Sequence, residues 1–164
     1  MHIRTAIRRI KKYRPTTPAE FAWAGVPLYE TKPVGAGVFR EVLGVVDLPL
    51  VVKFPISDGK DGNISDGRRH TNEEVCRINK LSGFPKMRKF LPKIYYHDPK
   101  AGVVVMRWYP DYDKDYEEED MLGHMIQRLV YDMTGVMLSD VHTGNVRSHN
   151  GKHGGRTILI DLGY

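Results

Sequence analysis

The sequence has very little cysteine and no long apolar run, and these two shortages exclude whole classes of protein. Its 164 residues include a single cysteine, Cys76, which cannot form a disulfide within the chain. No apolar stretch approaches the roughly 18 residues that a membrane-spanning helix needs. We therefore expect a protein that makes no use of a membrane and resides in a reducing cytoplasm.

Acidic side chains are absent from the first 14 residues, which carry six basic ones. The chain as a whole has a net charge of +5, whereas the residues after this segment hold 19 basic and 20 acidic side chains. Ile3, Ile7 and Ile10 recur at helical spacing, which predicts a short amphipathic helix that Pro15 and Pro18 end. This helix either lies on the body with its charges in solvent or contacts nucleic acid or a membrane surface.

The segment also lacks the apolar stretch and cleavage site of a secretory signal, so we expect it to belong to the protein. We assign residues 1–26 to a basic N-terminal arm and linker, and residues 27–164 to one domain. Within that domain, hydrophobic periodicity predicts five strands, one helix inserted among them, a long helix and a terminal hairpin, which is an α+β layout in two halves. The predicted elements are three strands within 27–55, a polar loop at 57–69, a helix at 71–81, strands at 93–97 and 103–108, a helix at 121–138, and a buried strand in the final apolar run.

Three features of the first half suggest phosphate chemistry. Gly35 and Gly37 lie between the first two predicted strands, where backbone N–H groups can approach a polyphosphate, although a hairpin turn would use the same glycines. Lys53 interrupts an apolar strand, so it either meets an anion or faces solvent on an edge strand. Glu73 or Glu74 could pair with this lysine, and Glu74 fits better because it shares a helix face with inward apolar residues.

The strongest local signal follows the long helix. Asp140 and Asn145 are five residues apart in a tight loop and can face one cavity, with the carboxylate accepting a hydroxyl proton and the amide oxygen binding a metal. Asp161 ends a predicted buried strand, and a carboxylate there is a suitable Mg²⁺ ligand.

The ordered series formed by Gly35, Gly37, Lys53, Glu74, the D-x-H-x-x-N loop of residues 140–145 and Asp161-Leu162-Gly163 resembles the protein-kinase-like fold. Its loop is similar to that of aminoglycoside and other small-molecule phosphotransferases, and to that of short kinase-like proteins of bacteriophages, including their early serine/threonine kinases. The resemblance covers residues 27–164, with an N-lobe at 27–109 built on a five-stranded antiparallel sheet and one helix, and a truncated, mainly helical C-lobe at 110–164.

The resemblance implies a role for each matching residue. Lys53 would bind the α- and β-phosphates of ATP, with Glu74 anchoring it, and Asp140 would be the catalytic base. Asn145 and Asp161 would hold Mg²⁺. Met106 and Trp108 belong to the segment that would lie beside adenine.

The sequence departs from the family pattern at three places. The glycine loop lacks a third glycine, with Arg40 near that position, and His142 stands where protein kinases have a phosphate-neutralising lysine. Only three residues follow Asp161, so we expect most of the substrate-binding half to be missing. The resemblance thus implies a phage-encoded, ATP- and Mg²⁺-dependent phosphotransferase that acts in the host bacterial cytoplasm. Its acceptor would be a serine or threonine hydroxyl of a host protein rather than a small-molecule hydroxyl. The alternatives are a non-catalytic kinase-like protein that modulates a host factor, and a chain completed by homodimerisation.

Overall fold

A computed structural model of the protein describes residues 1–31, 40–56, 65–109, 116–138, 146–151 and 154–159. Over these ranges the chain is α+β, which confirms the predicted class. The helices are α1 (Ile3–Tyr13), α2 (Pro18–Trp23), α3 (Ser65–Ser82) and α4 (Tyr116–Thr134), with a 3₁₀ turn at Arg88–Phe90. The strands are β1 (Leu28–Glu30), β2 (Arg40–Val45), β3 (Leu50–Pro55), β4 (Ile94–Asp98), β5 (Val103–Arg107), β6 (Val146–Gly151) and β7 (Gly154–Leu159).

The first five strands form one antiparallel sheet in the order β1-β2-β3-β5-β4. The expected five-stranded antiparallel sheet is therefore confirmed. Strand β3 lies in the middle of the sheet, and its first five residues are all buried. A strand that is buried on both faces has a nearly continuous apolar sequence. This explains why apolar and polar residues alternate little in Leu50–Pro55.

One face of this sheet carries the main hydrophobic core. Successive strand residues point to opposite faces, so every second residue of the central strands shares this side. The core joins these strand residues to three side chains from the two N-terminal helices and to neighbouring loop residues. Its buried members are Ala6, Ile10, Phe21, Val26, Leu43, Val45, Leu48, Leu50, Val52, Phe54, Val103 and Val105.

Helix α1 packs its apolar face against this core. Ala6 and Ile10 are fully buried, and Ile3 and Ile7 pack against the cluster from its margin. The isoleucine spacing thus marks the face of the helix that packs on the sheet. The helix ends at Tyr13, before either proline.

Helix α2 occupies part of the segment that the sequence assigned to a linker. The proline at position 18 begins this helix rather than ending the previous one, because proline is well tolerated in the first helical turn. The Thr17 hydroxyl accepts a hydrogen bond from the Glu20 N–H at 3.3 Å. The Glu20 carboxylate in turn accepts from the Thr16 N–H at 2.7 Å, which together with the Thr16 hydroxyl lowers the pKa of Glu20. These contacts form a variant of the capping box.

The chain divides into two compact units. The first comprises Met1–Glu73 with Lys93–Trp108, and the second comprises Glu74–Pro92 with Tyr109–Tyr164. Helix α3 contributes residues to both. It begins six residues before the predicted start, within the segment that glycine and aspartate content had assigned to a polar loop. The basic helix α1 belongs to the same unit as the sheet.

In the second unit, α4 overlaps the predicted helix of residues 121–138. It begins earlier in the chain than predicted and also ends earlier. It ends at Thr134, and Gly135 follows with φ +68°, the left-handed conformation that glycine adopts readily after a helix. Strands β6 and β7 form the expected antiparallel hairpin. Several large apolar side chains of this unit are exposed: Met121, Met125, Leu129, Tyr131 and Met137.

Across the ranges that the structure describes, no helix combines the length and the apolar character needed to cross a membrane.

Candidate functional site

Lys53 lies at the centre of the sheet, on the face opposite the main core. It is paired with Val42 of β2 and Val104 of β5, and only 6% of its surface is exposed. The edge-strand alternative is therefore wrong, since β3 is the middle strand and its lysine does not face solvent. Burial of an ammonium group is costly unless it meets a compensating group, so this position is chemically unusual.

An apolar strip runs across the same face beside Lys53. Val51 is two residues before the lysine and pairs with Met106 on one side and Gly44 on the other. Val51 and Met106 are both buried. Strand alternation places their side chains on the lysine's face of the sheet.

Two aromatic rings stand at the end of this strip. The Tyr29 ring lies on Gly44, where a Cβ atom would come within 2.5 Å of the ring. Tyr29 also meets Trp108 edge to face, with ring centroids 6.5 Å apart. The Trp108 N–H donates to the Pro49 carbonyl at 2.9 Å, so the backbone pairing of β5 continues one residue past the strand. The face thus offers an apolar, partly aromatic surface next to a buried cation.

His97 lies in the same cross-strand row as Lys53, with Val104 between them. Two strand spacings separate the two residues, roughly 10 Å. The His97 Nε2 atom is 2.8 Å from Asn72 Oδ1 on α3, and the Asn72 amide donates to the Pro99 carbonyl at 3.1 Å. These contacts connect the first half of α3 to β4, the edge strand of the sheet.

Burial lowers the pKa of His97 below its ordinary value near 6.5, and the neighbouring Asp98 carboxylate opposes this with a smaller effect. The unfolded chain therefore takes up a proton at this residue more readily than the folded protein. Stability from His97 is fully present above its unfolded pKa and is lost as the pH falls from that value through the lower pKa of the folded protein.

We accordingly expect His97→Gln to lose less stability than the wild type between about pH 7 and pH 5, because glutamine keeps an amide donor for Asn72 but does not titrate. Urea unfolding at a series of pH values measures the difference. Parallel stability profiles for the two proteins would show that His97 does not carry this pH dependence.

Glu73 and Glu74 differ in burial, as their positions on different faces of α3 predict. Glu74 is fully buried, together with Ile78 and Leu81 one and two turns later, whereas Glu73 is half-buried. Glu74 belongs to the second compact unit and Lys53 to the first. The pairing of Glu74 with Lys53 stays a prediction.

The remaining predicted site residues lie outside the described residues. They are Gly35, Gly37, Asp140, His142, Asn145 and Asp161. Among the residues that the structure does describe, no group of three or more histidine, cysteine, aspartate or glutamate side chains could hold a metal ion. The assignment of Mg²⁺ to Asn145 and Asp161 therefore remains a sequence-based prediction.

Sequence reasoning missed Tyr29, Asn72 and His97 as neighbours of the lysine face. The only available signal was strand alternation, which puts Tyr29 and His97 on one side of their strands but does not say which strands are adjacent. The β3-β5-β4 order supplies that information, because it places His97 in the row of Lys53.

No model of a known protein family matches the chain, and a comparison with curated proteins likewise gives no match.

Proposed function

We propose that the protein is an ATP- and Mg²⁺-dependent phosphotransferase of the protein-kinase-like class, with a serine or threonine hydroxyl of a host protein as the acceptor. The observation that carries the proposal is the burial of Lys53 on the middle strand of the sheet. A nucleoside triphosphate needs an apolar surface for its base and a cation for its phosphates. The Lys53 face has both: the Val51–Met106 strip and, next to it, the lysine.

The surrounding architecture supports the same proposal. The resemblance implies an antiparallel five-stranded sheet with one inserted helix, and the chain has such a sheet with α3 between β3 and β4. This helix carries Glu74, and complete burial of a glutamate side chain is rare in folded proteins. A buried carboxylate on that helix is what the proposed lysine anchor requires.

In the proposed mechanism, the protein acts mainly by positioning and charge neutralisation. The terminal phosphoryl group of ATP would pass to the acceptor hydroxyl oxygen while its bond to ADP breaks, and Mg²⁺ held by Asn145 and Asp161 would supply charge neutralisation. Lys53 holds the α- and β-phosphates, and Asp140 accepts the proton of the attacking hydroxyl. Asn145 and Asp161 have the oxygen donors that Mg²⁺ prefers, while His142 is placed beside the base in sequence.

A second candidate function is a non-catalytic kinase-like protein that binds a host factor or a second copy of itself. The exposed apolar stripe on α4 favours it, because Met121, Met125 and Leu129 follow one another at four-residue spacing and are all exposed. The homodimer itself stays a prediction.

Replacing Lys53 with methionine tests the proposed function. The change preserves an unbranched chain of similar volume but removes the charge. Because a hydrogen bond to a charged group contributes about 1.5–3 kcal/mol, we expect Mg-ATP to bind roughly 10- to 150-fold more weakly. Titration calorimetry with Mg-ATP measures the affinity, and far-ultraviolet circular dichroism verifies that the variant is folded.

The matched control is Lys80→Met, which removes the same charge from an exposed lysine near the end of α3. This control should bind Mg-ATP as the wild type does. A wild-type protein that shows no heat of binding and no thermal stabilisation with Mg-ATP would refute the phosphotransferase and leave the binding protein as the better account.

A further inference from the structure

The outer face of α1 is a continuous basic stripe. Arg4, Arg8 and Lys12 are spaced by four residues and Lys11 follows Arg8 by three, so the four cations share one side of the helix. All four are exposed. In the sequence, Glu20 is the one acidic residue before Glu30.

Two charged groups near this stripe, Arg9 and Glu20, take part in local contacts instead. The Arg9 guanidinium donates to the Gly25 carbonyl at 3.0 Å, which ties α1 to the turn after α2. The Glu20 carboxylate accepts hydrogen bonds from Thr16 and so participates in the cap of α2. The stripe thus presents exposed positive charge on the surface of α1, whereas these two groups serve the local fold.

An exposed aromatic pair adjoins one end of the stripe. The Lys12 ammonium lies 5.0 Å from the centre of the Tyr13 ring, and Tyr13 meets Trp23 of α2 edge to face at 5.8 Å. Trp23 is 79% exposed and Tyr13 is 46% exposed. A tryptophan that remains this exposed in a folded domain is available to stack on a planar ligand.

The combination of exposed cations and exposed aromatic rings indicates which kind of anionic partner fits this surface. A membrane surface would need the apolar face of α1, but the sheet covers that face, with Ala6 and Ile10 fully buried. Duplex nucleic acid offers phosphates but keeps its bases stacked on one another. Single strands offer both phosphates for the cations and free base faces for the rings.

We propose that Arg4, Arg8, Lys11 and Lys12, together with the Tyr13–Trp23 pair, form a binding surface for single-stranded nucleic acid. The cations follow the phosphate backbone, and a base stacks on the exposed tryptophan ring. This surface is independent of the proposed phosphotransferase activity, because it uses none of the residues on the Lys53 face.

Fluorescence anisotropy with labelled oligo-uridylate, oligo-thymidylate and a duplex of equal length tests the proposal over a series of salt concentrations. We expect either single strand to bind more tightly than the duplex. Trp23→Ala should weaken single-strand binding roughly 5- to 150-fold, the range for loss of one stacked base, without changing the salt dependence.

Substitutions in the basic stripe should instead change the salt dependence of binding. Arg8→Gln combined with Lys12→Gln should reduce the slope of log affinity against log salt by about 1.4, since each neutralised phosphate of a single strand contributes about 0.7. The charge-matched control combines Lys80→Gln with Lys86→Gln, two exposed lysines of the second unit, and should leave the slope unchanged.

The proposal is overturned if neither single strand binds, if the duplex binds more tightly than both, or if Trp23→Ala binds as the wild type does. Binding to phosphatidylserine vesicles without binding to oligonucleotides would also overturn it and would assign the stripe to a lipid surface. Because all substitutions are at exposed side chains, the variants should fold, which circular dichroism verifies.

Discussion

Changing Asp140 to alanine is expected to lower the rate of phosphoryl transfer from Mg-ATP roughly 10²- to 10⁴-fold, the usual contribution of a general base. Binding of Mg-ATP should change little, because the proposed base contacts the acceptor hydroxyl rather than the nucleotide. The measurement is transfer of radiolabel from ATP to proteins of a bacterial lysate, with intact-mass analysis of the labelled acceptor.

Asp132→Ala provides a control for loss of a carboxylate, since this aspartate lies exposed on α4 and pairs with Arg128 one turn earlier. It should transfer label at the wild-type rate. Asp161→Ala should differ from both by weakening the Mg-nucleotide complex itself. Equal label transfer by wild type and Asp140→Ala would show that Asp140 is not the base.

The second large effect is on stability. Phe21→Ala is expected to reduce the free energy of unfolding by about 3–5 kcal/mol, a substantial part of the 5–15 kcal/mol typical of a domain. Phe21 is fully buried and meets Phe54 of the central strand edge to face, with ring centroids 5.5 Å apart. Urea unfolding followed by far-ultraviolet circular dichroism measures the change.

Trp23→Ala is the matched control for this prediction, because it removes a larger aromatic ring from the opposite, exposed side of the same helix. Its effect should stay within about 0.5 kcal/mol, as for most surface substitutions. Equal destabilisation by the two substitutions would contradict the packing of α2 onto the sheet. Residues 1–14 should likewise be studied by point substitution, because their deletion would also remove Ala6 and Ile10 from the core.

Elements with a clear local period were predictable from the sequence. The isoleucine spacing of α1 marks its buried face correctly, and the short β-rich runs predict the correct number of strands in the sheet. Proline was less informative, because its fixed φ angle suits both the end of one helix and the first turn of the next. Thr17 and Glu20, spaced as in a capping box, were the signal that could have revealed α2.

Relationships between distant segments were not predictable from periodicity. Lys53 could be recognised as unusual because it interrupts an apolar strand, but whether that strand was central or at an edge depended on the whole sheet order. The contact between His97 and Asn72 likewise joins residues 25 positions apart and leaves no local pattern. The Tyr13–Trp23 contact depends on a helix that the sequence reading did not include.

The central claim is that nucleotide phosphates bind beside Lys53, and an acyl-phosphate derivative of ATP tests it directly. In such a probe, a lysine amine beside the phosphates attacks the acyl carbon, an amide bond forms, and the nucleotide phosphate leaves. Peptide mass spectrometry should find Lys53 acylated, with excess Mg-ATP suppressing that modification but not any at the exposed Lys80 and Lys86. An unmodified Lys53, or acylation of Lys53 that excess Mg-ATP does not reduce, would contradict the claim.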